Sequence, residues 1–375
     1  IISYLMTEKL PLYHKLAIIT IGFFIFFYIL FIGKEILVPI TFALLLAILL
    51  NPIVNFLQRK KTNKIVAIFL SIILMLLVMA GILYFIGSQA SKFVEILPQL
   101  KQKSHEFAQE ALTWFSHTFN ITTPKLTNWI EEQKDKGMQG ASSVVGIALG
   151  SISGLLVGLF LLPVYIFLFL FYKPLLLQFI AKLFSSDKHT VVAEVLKETK
   201  GLIQNYLVGL MIEMSIVAAM NSAALMLIGI KYGILLGVIG AILNVIPYIG
   251  GIVAIALPMI MGLMMDDPIS ALYVFIAYIL IQFVDNNFLV PKIVASKVKV
   301  NALISIVVVL IGGALWGVAG MFLSIPLIAI LKVIFDRIED LEPYGFLIGD
   351  DMPDKGNSMF DFLIIKETIE QNQDN

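Results

Sequence analysis

The sequence predicts an all-α polytopic membrane protein with about six full transmembrane helices, two opposed re-entrant helical hairpins and an amphipathic helical hairpin outside the membrane. Three observations predict it. The chain of 375 residues is 59% hydrophobic and only 14% charged, with a mean hydropathy of +0.95. A soluble domain is about 45–50% apolar and about 25% charged, so this chain has too few charges to cover a water-facing surface. Its apolar residues fall in long runs, and two of those runs are broken at their centres by glycine and proline.

A bilayer core about 30 Å thick takes roughly 20 apolar residues in a helix. Segments 16–32, 36–57, 65–88, 143–172, 202–230 and 269–290 meet or approach that length. Two further stretches, 233–264 and 302–331, exceed what one untilted crossing needs. The first carries Pro247, Tyr248, Gly250 and Gly251 at its centre; the second carries Gly312, Gly313 and Gly317. Each reads either as one tilted helix or as a hairpin that enters the bilayer and returns.

Loop charge favours hairpins. Lysine and arginine collect in short cytoplasmic loops. With the N-terminus inside, Arg59, Lys60, Lys61 and Lys64 form the next inside loop, and 173–200 follows with five lysines against three acids. Hairpins at both stretches place Asp266 and Asp267 outside, and Lys292, Lys297, Lys299, Lys332 and Arg337 inside. A full crossing at 233–264 would invert that arrangement. The lysines from Lys292 to Lys299 are read as topology determinants only.

The chain divides accordingly into N-terminal transmembrane helices (1–88), an extracytoplasmic helical hairpin (89–141), a transport region (142–340) and an acidic cytoplasmic tail (341–375). Within 89–141, Phe93, Leu97, Leu100, Phe107, Ala111 and Phe115 recur at helical spacing, and Thr123 with Pro124 opens a second helix. Lys173 and Pro174 are expected to end the fourth span, Leu175, Phe179, Ile180 and Leu183 to form an interfacial stripe, and Asp187 to cap the next helix. The first apolar run lacks a small-residue cleavage site, so no cleaved signal is expected, and Met6 is a candidate start.

Several function classes are excluded. Lys+Arg 26 against Asp+Glu 26 gives no basic excess for nucleic acid. There are no cysteines, so disulfides and thiolate metal sites are absent. His14, His105, His117 and His189 all lie outside the spans, and neither a zinc-protease motif nor a phosphate-binding loop occurs. No enzyme activity, metal or cofactor is expected; the bilayer is the expected partner.

Candidate site residues come from polarity at membrane depth. Glu213 lies near the middle of its span, where an ionised carboxylate costs about 2.5–3.5 kcal/mol unless protonated, paired or facing water. Asn205 and Asn221 lie eight residues either side of it, on roughly the same helix face. A second cluster, Gln282, Asp285 and Asn286 with Asn287 and Pro291, is expected to end a helix and offer ion or backbone ligands. The hairpin tips form a third constellation, because a tip exposes unpaired backbone groups and helix-end charge. Two tips entering from opposite faces would meet near the midplane, with Asn244, Tyr248 and Trp316 lining a site. The structural alternative is that these groups hydrogen-bond backbone freed by the breakers. Gly146, Gly150, Gly154 and Gly158 stand in i+4 register, a ridge for close helix packing.

Asn244–Gly250 (NVIPYIG), Asp285–Val294 (DNNFLVPKIV) and Gly312–Pro326 (GGALWGVAGMFLSIP) together resemble, in order and spacing, the signatures of the autoinducer-2 exporter family of bacterial membrane proteins. The resemblance extends over residues 10–340, with departures at Gly251, Ala295, Asn301 and Ala302. It implies an inner-membrane protein, a homopentamer with inverted repeats, and an elevator-like movement of a unit containing two hairpins; loop charge places both termini in the cytoplasm. Three functions are weighed: export of a small polar solute coupled to protons or sodium; sodium (lithium)/proton antiport; and a non-transporting scaffold that binds partners through its outer hairpin.

Overall fold

A computed structural model of the chain describes residues 11–94, 113, 161–247, 250–263, 265, 269–294 and 299–350. The described elements are α1 (Leu12–Ile32), α2 (Lys34–Arg59), α3 (Lys64–Val94), α4 (Leu161–Lys182), α5 (His189–Ile228), α6 (Gly233–Asn244), α7 (Gly250–Leu263), α8 (Ile269–Val284), α9 (Ala302–Phe335) and α10 (Glu342–Ile348). α8 runs on as wide π-helical turns over Asp285–Val294. Among the described residues there is no strand, only an isolated bridge between Val300 and Gly349. The expected outer hairpin beyond Val94, the ridge Gly146, Gly150, Gly154 and Gly158, Tyr248, and the tail beyond Asp350 lie outside the described residues.

Among the described residues, six helical stretches are long and apolar enough to cross a membrane: 34–59, 64–88, 161–182, 186–228, 269–294 and 302–335. Large apolar side chains such as Phe24, Tyr84, Leu77 and Leu280 stand exposed along them and along α1. That is the surface of a multi-pass membrane protein, whose outer solvent is lipid. Among the described residues, the interior consists of three apolar clusters. Ala43, Ala47, Leu50, Ala67, Ile68, Ile166 and Leu170 join α2, α3 and α4. Leu45, Ile203, Tyr206, Val294, Leu323 and Ala329 join α2, α5, the π-helical turns and α9. Leu225, Leu236, Ala254, Met261, Val274 and Tyr278 join α5, α6, α7 and α8.

The 233–264 stretch is two short helices. α6 returns along α5: a Cβ on Gly237 would lie 2.5 Å from Ser222 N, and one on Gly233 would lie 3.0 Å from Leu225 Cβ. α7 then returns along α6, with a Cβ on Gly240 3.5 Å from Ala254 Cβ. Arms of 12 and 14 residues rise about 18 and 21 Å, short of a bilayer core of about 30 Å.

The 302–335 stretch also folds back, although its length alone would suit a single crossing. Ser324 Oγ donates to Val308 O at 2.8 Å, whereas a straight helix would hold residues that far apart in sequence at about 24 Å. Gly312 and Gly320 bring their backbones into contact across the fold. The turn is at Gly317, with φ 62 and ψ −144, a conformation open to glycine and strained for any side chain.

The two hairpins are rooted at opposite ends of α5. Arg337, just past α9, pairs with Glu194 at 3.2 Å and Glu198 at 3.1 Å near the α5 N-terminus. The α6–α7 arms open instead towards the α5 C-terminus, where Gly229 adjoins Met265.

Several local expectations are corrected. α1 and α2, expected to reverse direction between spans, meet through Gly33 alone. Gly33 N–H donates to Ile29 O and Leu37 N–H to Gly33 O, both at 2.8 Å, so the helical ladder bends there without reversing. α4 continues through Pro174 to Lys182, since the loss of one donor inside a packed apolar helix does not end it. Asp187 sits in a short 3-10 turn, and no side chain caps α5. The helix after Asp285 passes Pro291 because π-helical turns are wide enough to take the ring. Part of the expected solvated tail is docked: α10 lies against the start of α9, held by Asn301 Nδ2 donating to Leu347, Ile348 and Gly349 carbonyls.

Candidate functional site

The first hairpin tip reaches the middle of α5. Asn244, the last residue of α6, is placed there by the close pairing of α6 with α5, and its side-chain amide bridges two acids. Nδ2 donates to Asp285 Oδ2 at 2.8 Å and to Glu213 Oε1 at 3.3 Å. Glu213 is 3% exposed and Asp285 1%. Gln282 Nε2 reaches Asp285 Oδ2 at 3.4 Å and Asn286 Oδ1 at 3.2 Å. Asp285 Oδ1 is buried and receives no amide or hydroxyl donor, and the Glu213 and Asp285 side chains lie against each other.

Local backbone makes this possible. The switch to π-helical turns at Asp285 changes the pitch and re-aims the side chains that follow, a feature common at functional sites. Gly209 lets α5 approach those turns, since a Cβ there would sit 2.7 Å from Ile293 O. Gly251 does the same beneath the tip: its Cβ would lie 2.8 Å from Gln282 Oε1 and 3.4 Å from Asn244 Oδ1.

These groups face a cavity of about 790 Å³. Glu213, Asn244, Pro247, Gly251, Gln282, Asp285 and Asn286 line it with apolar residues such as Leu210, Ile255 and Val290. The lining continues to Ser305, Lys299 and Asp350, the last two exposed. The cavity therefore joins a buried acidic end to a surface at the base of the second hairpin. Two buried carboxylates sharing one amide need a compensating positive charge, so the arrangement suits a proton or a small cation beside a polar solute.

Other sequence candidates fall elsewhere. Asn221 is buried behind the tip, its Oδ1 without a partner; a Cβ on Gly240 would lie 3.4 Å from Asn221 Nδ2 and 3.2 Å from Tyr278 Oη. Asn205 is exposed and away from the cavity lining. Gly250 forms the turn itself, packed against Leu243 O. Among the described residues, Trp316 at the second tip is not part of the cavity lining: its Nε1 donates to Leu30 O of α1 at 2.9 Å, and Gly312, Gly313 and Gly317 shape that fold-back. The second hairpin contributes Ser305 and Ile325 from its arms instead.

Sequence reasoning missed Tyr278, Lys299 and Asp350. Tyr278 precedes Gln282 by four residues and Asp285 by seven, a polar stripe on one helix face that would have found it. Lys299 was assigned to topology alone, and no local pattern marks Asp350.

Fold and site together define a class: a multi-pass helical membrane protein with a polar cavity leading to buried carboxylates, the build of a membrane transporter. The model of the family described as AI-2E family transporter matches residues 17–340, and the chain belongs to that family. It is 22% identical over 313 residues to the putative transport protein YueF of Bacillus subtilis, covering 80% of this chain and 83% of that protein. It is 27% identical over 324 residues to a putative transport protein of Haemophilus influenzae, covering 85% and 91%. Over 320 residues it is 24% identical to the AI-2 transport protein TqsA of Escherichia coli, covering 85% and 90%. The role is membrane transport, in a family of transporters and permeases.

Proposed function

We propose that the chain is a secondary transporter that exports a small polar solute across the bacterial inner membrane, coupled to protons or sodium. Glu213, Asn244 and Asp285 hold the coupling ion, and Gln282 and Asn286 contact the solute beside it. The observation that carries this reading is the meeting of two buried carboxylates, Glu213 and Asp285, on the single amide of Asn244. Two adjacent buried carboxylates repel unless one is protonated or a cation lies beside them, which gives a coupling ion its place. The description of TqsA as an AI-2 transport protein supports an autoinducer-2-like solute.

Arg59 and Lys200 lie at one end of the protein, with Arg337 held by Glu194 and Glu198 at the same end of α5. The positive-inside rule makes that end cytoplasmic. The cavity then opens to the cytoplasm past Lys299 and Asp350, and the hairpins enter from opposite leaflets. An elevator-like shift of α5–α8 against α2–α4 would carry the site across. The apolar faces left by α1 suit lipid or neighbouring copies in a homo-oligomer, a pentamer by family resemblance.

Reconstituted protein should move labelled autoinducer-2 under an imposed proton or sodium gradient, and Asp285→Asn or Glu213→Gln should abolish the gradient dependence. Unchanged flux in both variants would remove the pair from the mechanism. Sodium/proton antiport is a second reading, favoured by two carboxylates meeting on one amide. Sodium-driven pH change in vesicles with no added solute would select it.

A further inference from the structure

A second pocket lies at the end of the protein opposite the α6–α7 base. It encloses about 310 Å³ between α2 and α5, separate from the carboxylate cavity. From α2 it is lined by Asn51, Asn55 and Arg59, at i, i+4 and i+8, so one helix face turns all three towards it. From α5 it is lined by Lys200 and Gln204, again four residues apart. Phe56 supplies an apolar, exposed flank.

The charged groups that line this pocket, Arg59 and Lys200, are both positive. Lys173 Nζ donates to Asn51 Oδ1 at 2.9 Å, and because an ammonium can only donate, that bond sets the orientation of the amide. Asn51 Nδ2 is then a hydrogen-bond donor, and it is buried with no partner in a residue 4% exposed. Gln204 spends its own amide hydrogen on Ile48 O at 2.7 Å, which ties α5 to α2 and holds the pocket's shape. Among the described residues, the ion pairs are Lys332–Asp336, Arg337–Glu194 and Arg337–Glu198, so neither Arg59 nor Lys200 has an acidic partner. Lys64 and Lys200 lie within Coulombic reach of Lys173 and add to the positive field. Cations without an acidic partner and a stranded amide donor line this space, and none of its lining residues is an acid.

We infer that this pocket binds a phosphate anion, carried on an anionic phospholipid headgroup or free in solution. A guanidinium and an ammonium on neighbouring helices, with an amide donor between them, match the oxygens of a phosphate. Basic pockets between transmembrane helices at the cytoplasmic side are where anionic headgroups bind. Such a ligand would brace α2 against α5 without touching Glu213 or Asp285.

The test uses full-length protein, stripped of lipid in a neutral detergent and followed by native mass spectrometry and thermal unfolding. Phosphatidylglycerol, phosphatidylcholine and inorganic phosphate, with chloride as salt control, are the probes. Saturable binding of phosphatidylglycerol without phosphatidylcholine assigns the headgroup, and saturable stabilisation by inorganic phosphate alone assigns the free ion. In either case R59Q with K200Q should weaken binding about 25-fold, at about fivefold per basic residue. If that pair does not fold, K200Q alone should show the fivefold loss, since Lys200 is only half-buried. Binding unchanged in these variants, or no saturable binding of either anionic probe, overturns the inference.

Discussion

Asn244 holds Asp285 by a 2.8 Å hydrogen bond across 41 residues of chain, and the same nitrogen reaches Glu213 on a third helix. One neutral amide is thus the junction between a hairpin tip and two acids on flanking helices. Hydrogen bonds to charged groups contribute about 1.5–3 kcal/mol, roughly a factor of 10–100. Asn244→Ala should lower gradient-driven solute flux in proteoliposomes by about that factor while the protein still purifies as a folded species. Asn205→Ala, on the exposed side of α5, should leave flux within twofold (about 0.4 kcal/mol, the range of neutral surface changes). Equal loss in both would mean that the amide bridge has no special part.

Gly251 is the second test of the same tip. Its missing side chain leaves room for the Gln282 carboxamide, and a Cβ would intrude to 2.8 Å of Gln282 Oε1. Gly251→Val should therefore push Gln282 off Asp285 and raise the solute concentration needed for half-maximal flux by about tenfold, a cost on the order of 1–3 kcal/mol for overpacking. Wild-type concentration dependence in that variant would place solute binding away from Gln282.

How far the sequence could be read is best seen by comparing the two broken stretches. The breakers in both predicted chain reversals, and both reversals exist, because an unsatisfied backbone at Pro247 or Gly317 is tolerated only where the chain turns or packs. Glu213 was legible as a carboxylate at membrane depth, where such a group is costly enough to stand out, Asn244 as a residue at a break, and Gln282 and Asp285 as a polar run at a helix end. Partners across the fold were not. Trp316 and Asn244 looked alike in sequence, each at a break in an apolar run. Only the packing of α9 on α1 sends the Trp316 indole to Leu30 O. Asp350 was illegible because it reaches the cavity through the Asn301 latch, a contact set by residues far apart in sequence.

The bond from Trp316 to Leu30 O predicts a part in stability for this residue. Trp316→Phe keeps most of the packing and removes one hydrogen bond, worth about 1 kcal/mol. Thermal unfolding should shift down slightly while solute affinity stays at the wild-type value. A changed affinity with unchanged unfolding would restore the second tip to the binding site.

The fold-back of α9 can be tested by distance. The native chain has no cysteine, so a Val308→Cys, Ser324→Cys pair is chemically isolated. Residues whose polar atoms meet at 2.8 Å should couple with a short bis-reactive linker. An unbroken helix would separate them by about 24 Å and give no intramolecular product. Cysteines replacing Lys231 and Arg337 should label from opposite faces of sealed vesicles, since these positions lie at opposite ends of α5. Labelling from one face would undo the opposed hairpins and the cytoplasmic opening of the cavity together.

Asn301 works in two directions at once. Its Oδ1 accepts from Ile304 N–H at 2.9 Å and caps α9, while its Nδ2 serves three carbonyls at the end of α10. Cap loss costs about 0.5–2 kcal/mol, and three α10 carbonyls lose their donor in the same substitution. Asn301→Ala should therefore release 342–350 before it unfolds α9, and limited proteolysis should cut near Gly349 at least tenfold faster, the factor matching about 1.4 kcal/mol of local stability. Because Asp350 sits on the cavity wall through this latch, the same variant should change the rate of solute entry from the α10 side. Asn301→Asp separates the two functions: it keeps the cap acceptor and loses the donor, so α9 should stay intact while α10 still detaches. If Asn301→Asp resists proteolysis as the wild type does, α10 is held by its packing against Asp336 and not by the amide.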